Sequence, residues 1–496
     1  MSTKKYRLIW VRIIVFLVLT VLMLGILTRI FIPKYFYNDT WSMTTTYSGF
    51  YDMEENTVDV LFLGSSRTMS SFVPQQLYNE YGITSYNLGS TQQSMLVTYF
   101  WLKEALRFQT PKAVVIEVKE LFPYREGVIL NADEASIRKA LDYMKWSSVK
   151  KEAVDEICAL DETQEKLSYY FPMLRFHSRW KSVGEDDFAY STLSQNAELK
   201  GYNIISKRYE GKFTPIEVGT TDEKEEMLGL MCDYMDRIVQ VCDENDIRLI
   251  LVNTPYKDGT VEKYNSVSAY AAERQIPYYD LNVKEHYEAL GYDFGEDNAD
   301  KRHSNVWGAT KITGYIGKLL SEEYGIAGRE DAQWEETAEA YELSKKDCEL
   351  TKITDIYEYT SWLQDERYSV FIAVKGEGSE ALNNEILGGF RQLGIAMPLE
   401  GAFEMSYYAV ADGENIREEV SWESLSVSGS LRDGIVPYSV TSEGKACGNS
   451  CSIKIDGDKY AVNGKGLNIV VYNNEIRKVI DSVCFNMSSQ EHTATR

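Results

Sequence analysis

The sequence predicts an α/β fold with a doubly wound parallel sheet, preceded by a transmembrane helix and followed by a second, β-rich α+β domain. Three observations carry that reading. Apolar runs such as Val58-Asp-Val-Leu-Phe-Leu63 and Pro111-Lys-Ala-Val-Val-Ile-Glu-Val118 lack in-out alternation, the texture of strands covered on both faces. Helix-length stretches separate them, and parallel strands joined by helical crossovers are the economical way to pack that order. Past residue 355 the pattern changes to short strands parted by Asn, Asp and Gly turns.

At the N-terminus, Lys4, Lys5, Arg7 and Arg12 precede an apolar stretch from Ile13 to Thr28 that continues through Arg29 to Pro33. Its length suffices to cross a bilayer, with Arg12 and Arg29 snorkelling at the ends. Basic residues on the N-terminal side place that end in the cytoplasm and the remainder outside the cell. A cleaved signal peptide is the competing reading; the length of the run and the lack of an Ala-x-Ala-like site stand against it. Residues 1–33 are thus read as cytoplasmic end and anchor, and the Tyr-, Thr- and Ser-rich residues 34–56 as a juxtamembrane linker.

Residues 57–326 form the predicted α/β domain. Its first strand stops at Gly64-Ser65-Ser66-Arg67, and a serine at the carboxyl end of such a strand sits where open α/β sheets bind ligands. Far downstream, Asp300-Lys-Arg-His303 places an aspartate three residues before a histidine. The carboxylate can orient the imidazole through one ring nitrogen and leave the other free to take a serine proton. A short strand ending at Gly89 offers an amide that a reacting oxyanion can approach closely. An amphipathic helix is expected over 97–108. Residues 133–206 are mostly helical and interrupt the alternation, as an insertion lying over the sheet's carboxyl edge as a lid or substrate wall. Within it His177 and Arg179 are candidates for holding a polar substrate, although a helix packing its aromatic face on the core has the same composition. Alternation resumes with a helix over 222–245, a strand ending at Asn253, a candidate lining residue, and a helix over 261–274.

The chain resembles the SGNH/GDSL hydrolases over about residues 55–325. Their first block ends in a nucleophilic serine and their last reads Asp-x-x-His; here these are Gly64-Ser65-Ser66 and Asp300-Lys-Arg-His303. The variant Gly-Ser-Ser-Arg is most similar to membrane-anchored cell-envelope relatives, DltD and the alginate-acetylation proteins. The resemblance implies Ser66 as nucleophile with Ser65 as its rival, His303 as general base, Asp300 as its orienting acid, and the Ser66 and Gly89 amides as oxyanion donors. The family's third block, Gly-x-Asn-Asp, is missing; the equivalent strand ends in Glu117-Val-Lys-Glu120, so the usual third donor has no counterpart. Arg67 either steers an anionic glycan or pairs with an acidic neighbour.

An acidic, helix-prone connector over 327–354 separates this domain from residues 355–488. The latter are expected to form a compact β-sandwich with one helix over 382–393, and the tail, 489–496, to be disordered. Val374-Lys-Gly-Glu-Gly-Ser379, Arg391-Gln-Leu-Gly394, Gly466-Leu-Asn-Ile-Val-Val-Tyr472 and Asp481-Ser-Val483 resemble the ILEI/PANDER domain, some members of which bind glycans.

Composition narrows the function classes. A net charge of -23 over 496 residues, without a long basic run past the N-terminus, excludes an extended nucleic-acid surface. The 35 tyrosines suit sugar rings and exposed strands alike. Seven cysteines are too few and scattered for a disulfide scaffold, and Cys447 and Cys451 fit a local disulfide or two buried thiols equally. The expectation is an anchored, extracytoplasmic serine esterase or O-acyltransferase acting on a cell-surface polysaccharide or teichoic-acid-like polymer, needing no metal or organic cofactor. The resemblance implies a membrane-bound O-acyltransferase (MBOAT) as partner and acyl donor. The alternative is a non-catalytic, membrane-tethered glycan-binding or scaffold protein.

Overall fold

The computed structural model describes residues 3–33, 43–125, 127–188, 198–431 and 434–496, and the chain divides into two units, Met1–Tyr341 and Glu342–Arg496. The division falls inside the helix Ala332–Leu350, in the acidic connector.

The first unit is built on a five-stranded, wholly parallel sheet in the order β2-β1-β3-β4-β5. The strands are β1 (Val60–Gly64), β2 (Ser85–Gly89), β3 (Ala113–Glu117), β4 (Arg248–Asn253) and β5 (Tyr278–Asp280). Although the runs are continuously apolar, the two-residue period still sorts them. Leu61, Leu63, Val114, Ile116 and Leu251 enter one core with Tyr47, Trp101 and Ile238, whereas Val60, Phe62, Val115, Ile250 and Val252 enter another with Leu77, Ile312 and Ile316. Helices therefore cover both faces, which is why alternation is invisible in the sequence.

Several expectations are corrected here. The helix after β2 is Met95–Ala105 and is buried nearly all round rather than amphipathic, because helices Gly229–Glu244 and Ser148–Leu160 pack against it as well as the sheet. The linker reading fails for its second half. Residues Met43–Tyr51 form a helix whose Tyr47 and Phe50 are core residues, the Tyr47 ring stacked 4.1 Å from that of Trp101; residues 34–42 lie outside the described residues. Aromatic rings spaced on one helical face paid no attention to the polar Thr and Ser between them.

At the N-terminus, helix Thr3–Phe31 contains the stretch Tyr6–Phe31, long and apolar enough to cross a membrane, a composition that a signal sequence shares. The insertion holds the helices Glu134–Leu141, Ser148–Leu160, Lys166–Tyr170 and Met173–Phe176. Asp133 and Ser147 cap the first two by accepting from Ser136 N and Lys150 N.

In the second unit a sandwich with one helix was expected; among the described residues the unit has one ten-stranded sheet that folds over itself and two whole helices, besides the end of Ala332–Leu350. Its central strand, Tyr368–Gly376, pairs antiparallel with Gly466–Asn473 and Ser406–Asp412 along its length. It meets Pro437–Gly444 only at Lys375 and Gly376. That last strand, with Leu425–Ser430 and Ser450–Ile455, leaves the plane and lays Val440, Cys451 and Ile453 on Phe371, Val410 and Val470. Helices Ile356–Trp362 and Asn384–Gln392 close the opposite face with Tyr359, Ile386 and Phe390. The tail is ordered, contrary to expectation: Ala494–Thr495 pairs with Lys478–Phe485, and Arg496 Nε holds Asp481 at 2.9 Å. Cys447 and Cys451 are free thiols.

Candidate active site

Every strand of the first unit except the last ends in a residue run that lines one cavity, at the carboxyl edge of the sheet. Ser65, Ser66 and Arg67 follow β1, Thr91 and Gln92 follow β2, Lys119, Glu120 and Phe122 to Tyr124 follow β3, and Tyr256 follows β4. Asp300, Arg302 and His303 close it, around a volume of about 340 Å³. Because β2 and β3 flank β1 on opposite sides, the chain leaves this edge in diverging directions beside Ser66, which opens a crevice there.

The serine turn is forced by two glycines. Gly64 has φ +146°, a backbone region that side chains rarely adopt, and a Cβ there would sit 2.5 Å from Thr68 Oγ1 and 3.0 Å from Glu117 Cβ. Gly89 lies beside it in register, and a Cβ on Gly89 would meet the Ser65 carbonyl oxygen at 2.8 Å. Gly89 does not line the cavity; its contribution in the structure is to let β2 press against the turn that carries Ser66.

His303 is fixed by a loop that closes on itself. Ala299 N donates to His303 O at 2.8 Å, and Asn305 N donates to Asp297 O at 2.9 Å. Asn305 Oδ1 then caps the helix Val306–Lys318 by accepting from the Trp307 and Gly308 amides, each at 3.1 Å. Within this loop the Asp300 carboxylate accepts from the Arg302 and His303 amides at 2.7 and 3.0 Å. It also takes the His303 ring Nδ1 at 2.8 Å on Oδ2. Partial burial pushes the Asp300 carboxyl up, but the hydrogen bond and charge attraction of the His303 ring, with the two amides, outweigh it and pull it down to about 2.

An ionised carboxylate can only accept, so Nδ1 carries the proton and Nε2 presents its lone pair as an acceptor. Ser66 Oγ lies 2.8 Å from that Nε2 and donates to it. Ser65, the rival, is buried, and the Glu120 side chain faces it instead. Ser66, His303 and Asp300 are thus linked in one hydrogen-bonded chain.

Arg67 turns inward rather than toward solvent. Its side chain is 2 % exposed, ion-paired with the fully buried Glu117 at 3.0 Å, and its guanidinium lies 4.1 Å above the Tyr256 ring. It donates to Asn253 Oδ1 at 3.2 Å and to the Thr254 carbonyl, while Asn253 Nδ2 donates to Asp280 Oδ2 at 2.9 Å. Asn253 therefore sits behind Arg67 and does not line the cavity. Burial pushes Glu117 and Glu120 above the usual carboxylate range, with Arg67 and Lys119 respectively pulling the other way.

The insertion does not wall the site: among the described residues, none from 133–206 lines the cavity. His177 is exposed with Nδ1 against the Leu174 carbonyl, and Arg179 is engaged by the Phe31 carbonyl and Asp187. The walls are instead Phe122, Pro123 and Tyr124 after β3, and Tyr256, Asp258 and Lys263 after β4. Sequence reasoning missed these, along with Thr91, Gln92, Lys119, Glu120 and Arg302. The one signal available was position, since each follows a strand end or, for Arg302, precedes His303. The rim mixes charges: Lys119 and Lys263 pair with Glu120 and Glu225, at 3.2 and 3.8 Å, while Lys119 and Arg302 lie 4.9 and 5.7 Å from the Tyr124 ring and Lys263 lies 5.7 Å from that of Tyr256.

No family model and no curated protein matches this chain. Among solved structures it is similar to one described as "a putative acylhydrolase" from Bacteroides fragilis, at 10% identity and a TM-score of 0.25, over 56% of this chain and 94% of that one.

Proposed function

We propose that the protein is a membrane-tethered serine esterase or O-acyltransferase that works outside the cytoplasm on acyl esters of a cell-envelope polysaccharide. The observation that carries this reading is the chain from Ser66 Oγ through both nitrogens of His303 to Asp300, with links of 2.8 and 2.8 Å, opening on a polar cavity. Ser66 attacks the acyl carbonyl as its proton passes to His303 Nε2; the carbonyl oxygen takes the negative charge, and the Ser66 amide is its proposed donor. Collapse of the tetrahedral adduct breaks the ester C–O bond, and the imidazolium returns the proton to the departing alkoxide. The acyl-Ser66 ester is then resolved by water, giving hydrolysis, or by a sugar hydroxyl, giving transfer, with His303 again as base. An adjacent membrane O-acyltransferase is the proposed acyl donor in the second case.

A carbohydrate substrate is supported by the lining. Tyr124 is a partly exposed ring against which a sugar can pack, Phe122 and Tyr256 are buried parts of the same wall, and Lys119, Lys263 and Arg302 supply donors around it. Fluorophosphonate labelling and p-nitrophenyl acetate turnover by the purified full chain test the reading. Wild type is expected to label at Ser66, and Ser66→Ala to lose labelling and at least about 10³-fold of the turnover. A wild-type chain that neither labels nor turns over ester would instead leave a non-catalytic glycan-binding or scaffold protein.

A further inference from the structure

Leu167, Phe171, Leu174, Trp180 and Phe188 stand exposed along the short helical pieces between Lys166 and Phe188, Phe171 at 59% and Trp180 at 66%. Single exposed apolar residues are ordinary on a protein surface, but five in so short a run mark a face that is covered in use.

What covers it is indicated by where it lies. The final turns of the N-terminal helix Thr3–Phe31 pack on these same pieces, Met173–Phe176, His177–Lys181 and Glu185–Phe188. Residues 6–26 are exposed apart from Thr20, whereas Leu27, Thr28 and residues 30–33 are half-buried. Arg179 joins the two: one guanidinium nitrogen donates to the Phe31 carbonyl at 2.7 Å, the other to the buried Asp187 at 2.7 Å. A cation there also answers the negative pole of the helix end. The Tyr143 hydroxyl donates to the Pro33 carbonyl. The apolar face thus begins where the apolar helix stops.

We propose that residues 166–188 form a platform that rests in the lipid interface of the bilayer crossed by Tyr6–Phe31, so that the catalytic unit is seated on the membrane and not suspended from a free tether. The inference rests on reading that helix as an uncleaved span. Trp180 and Phe171 are the side-chain types that settle at the boundary between headgroups and acyl chains, and Lys181, 5.7 Å from the Trp180 ring, places an ammonium at headgroup depth. An integral-membrane protein seated on the same face is the rival occupant.

The test uses the full chain in phosphatidylcholine and phosphatidylglycerol vesicles containing a diazirine-bearing phospholipid, with adducts mapped by mass spectrometry. Adducts in both 6–31 and 166–188 are expected, and Phe171→Ser with Trp180→Ser should cut those in 166–188 by at least about fivefold while leaving those in 6–31 unchanged. Both substituted residues are exposed, so circular dichroism should be unaltered. Adducts confined to 6–31 overturn the platform. Adducts in neither overturn the anchor on which it rests, whatever Ser66 does with fluorophosphonate. In native membranes, photocrosslinks from 166–188 to a protein in place of lipid overturn the lipid as occupant.

Discussion

Asp300 holds the His303 ring by one edge and two main-chain amides by the other, so its proposed role is to fix a tautomer rather than to move a proton. Asp300→Asn keeps the shape but can donate to Nδ1, which favours the tautomer that lacks a lone pair at Nε2. Esterase kcat should fall by about 10²–10⁴-fold with little change in KM, read from steady-state kinetics. The same carboxylate bears on stability. Its folded value of about 2 lies below that of an unfolded aspartate, so the contribution is present above the unfolded value and fades as pH falls toward the folded one. Urea midpoints of wild type and Asp300→Asn should therefore differ near neutrality and converge as pH drops from about 4 to about 2. Arg67 and Glu117 make a second residue-scale case, because both are withdrawn from water. Removing one partner strands a buried charge and should cost about 3–5 kcal/mol, whereas Arg67→Met with Glu117→Met together should cost less than the sum. A urea double-mutant cycle measures it, and additive losses would argue that the pair does not act as a unit.

At the scale of elements, the turn from β1 into Ser66 was legible because its requirements are local: a strand that must stop and a glycine with no side chain to obstruct it. Gly64→Ala should lose about 1–3 kcal/mol of stability and slow fluorophosphonate labelling, since the turn must move Thr68 or Glu117 to admit a methyl group. Labelling at the wild-type rate would mean that the turn tolerates the shift. The His303 loop was legible for the same reason, its Asp, His and Asn being close in sequence. The pairing between Ser66 and His303 was not local, and was anticipated through motif resemblance rather than periodicity. What escaped the sequence were long-range partners. Glu117 reads as the polar end of a strand until Arg67 is seen beside it. Tyr47 and Phe50 read as linker until Trp101 supplies their core, and Arg179 as a substrate ligand until the Phe31 carbonyl claims it.

Across the whole molecule, the change of texture near residue 355 corresponds to a change of core: the first unit has its apolar side chains on either face of the parallel sheet, and the second has its own two layers about the strand Tyr368–Gly376. The sheet architecture of the second unit was less legible than its strand content, since short strands with Gly and Asn turns fit a sandwich, a barrel or one folded sheet equally well, and pairings far apart in sequence decide among them. Separate cores imply separate responses to a cavity. Phe390 is fully buried among residues of the second unit, so Phe390→Ala should destabilise that unit by about 3–5 kcal/mol. Scanning calorimetry of the full chain in detergent is expected to show one transition lowered and another left in place, with Ser66 still reacting with fluorophosphonate between the two. A single transition that shifts as a whole, taking the reactivity of Ser66 with it, would mean that the two cores melt as one cooperative unit.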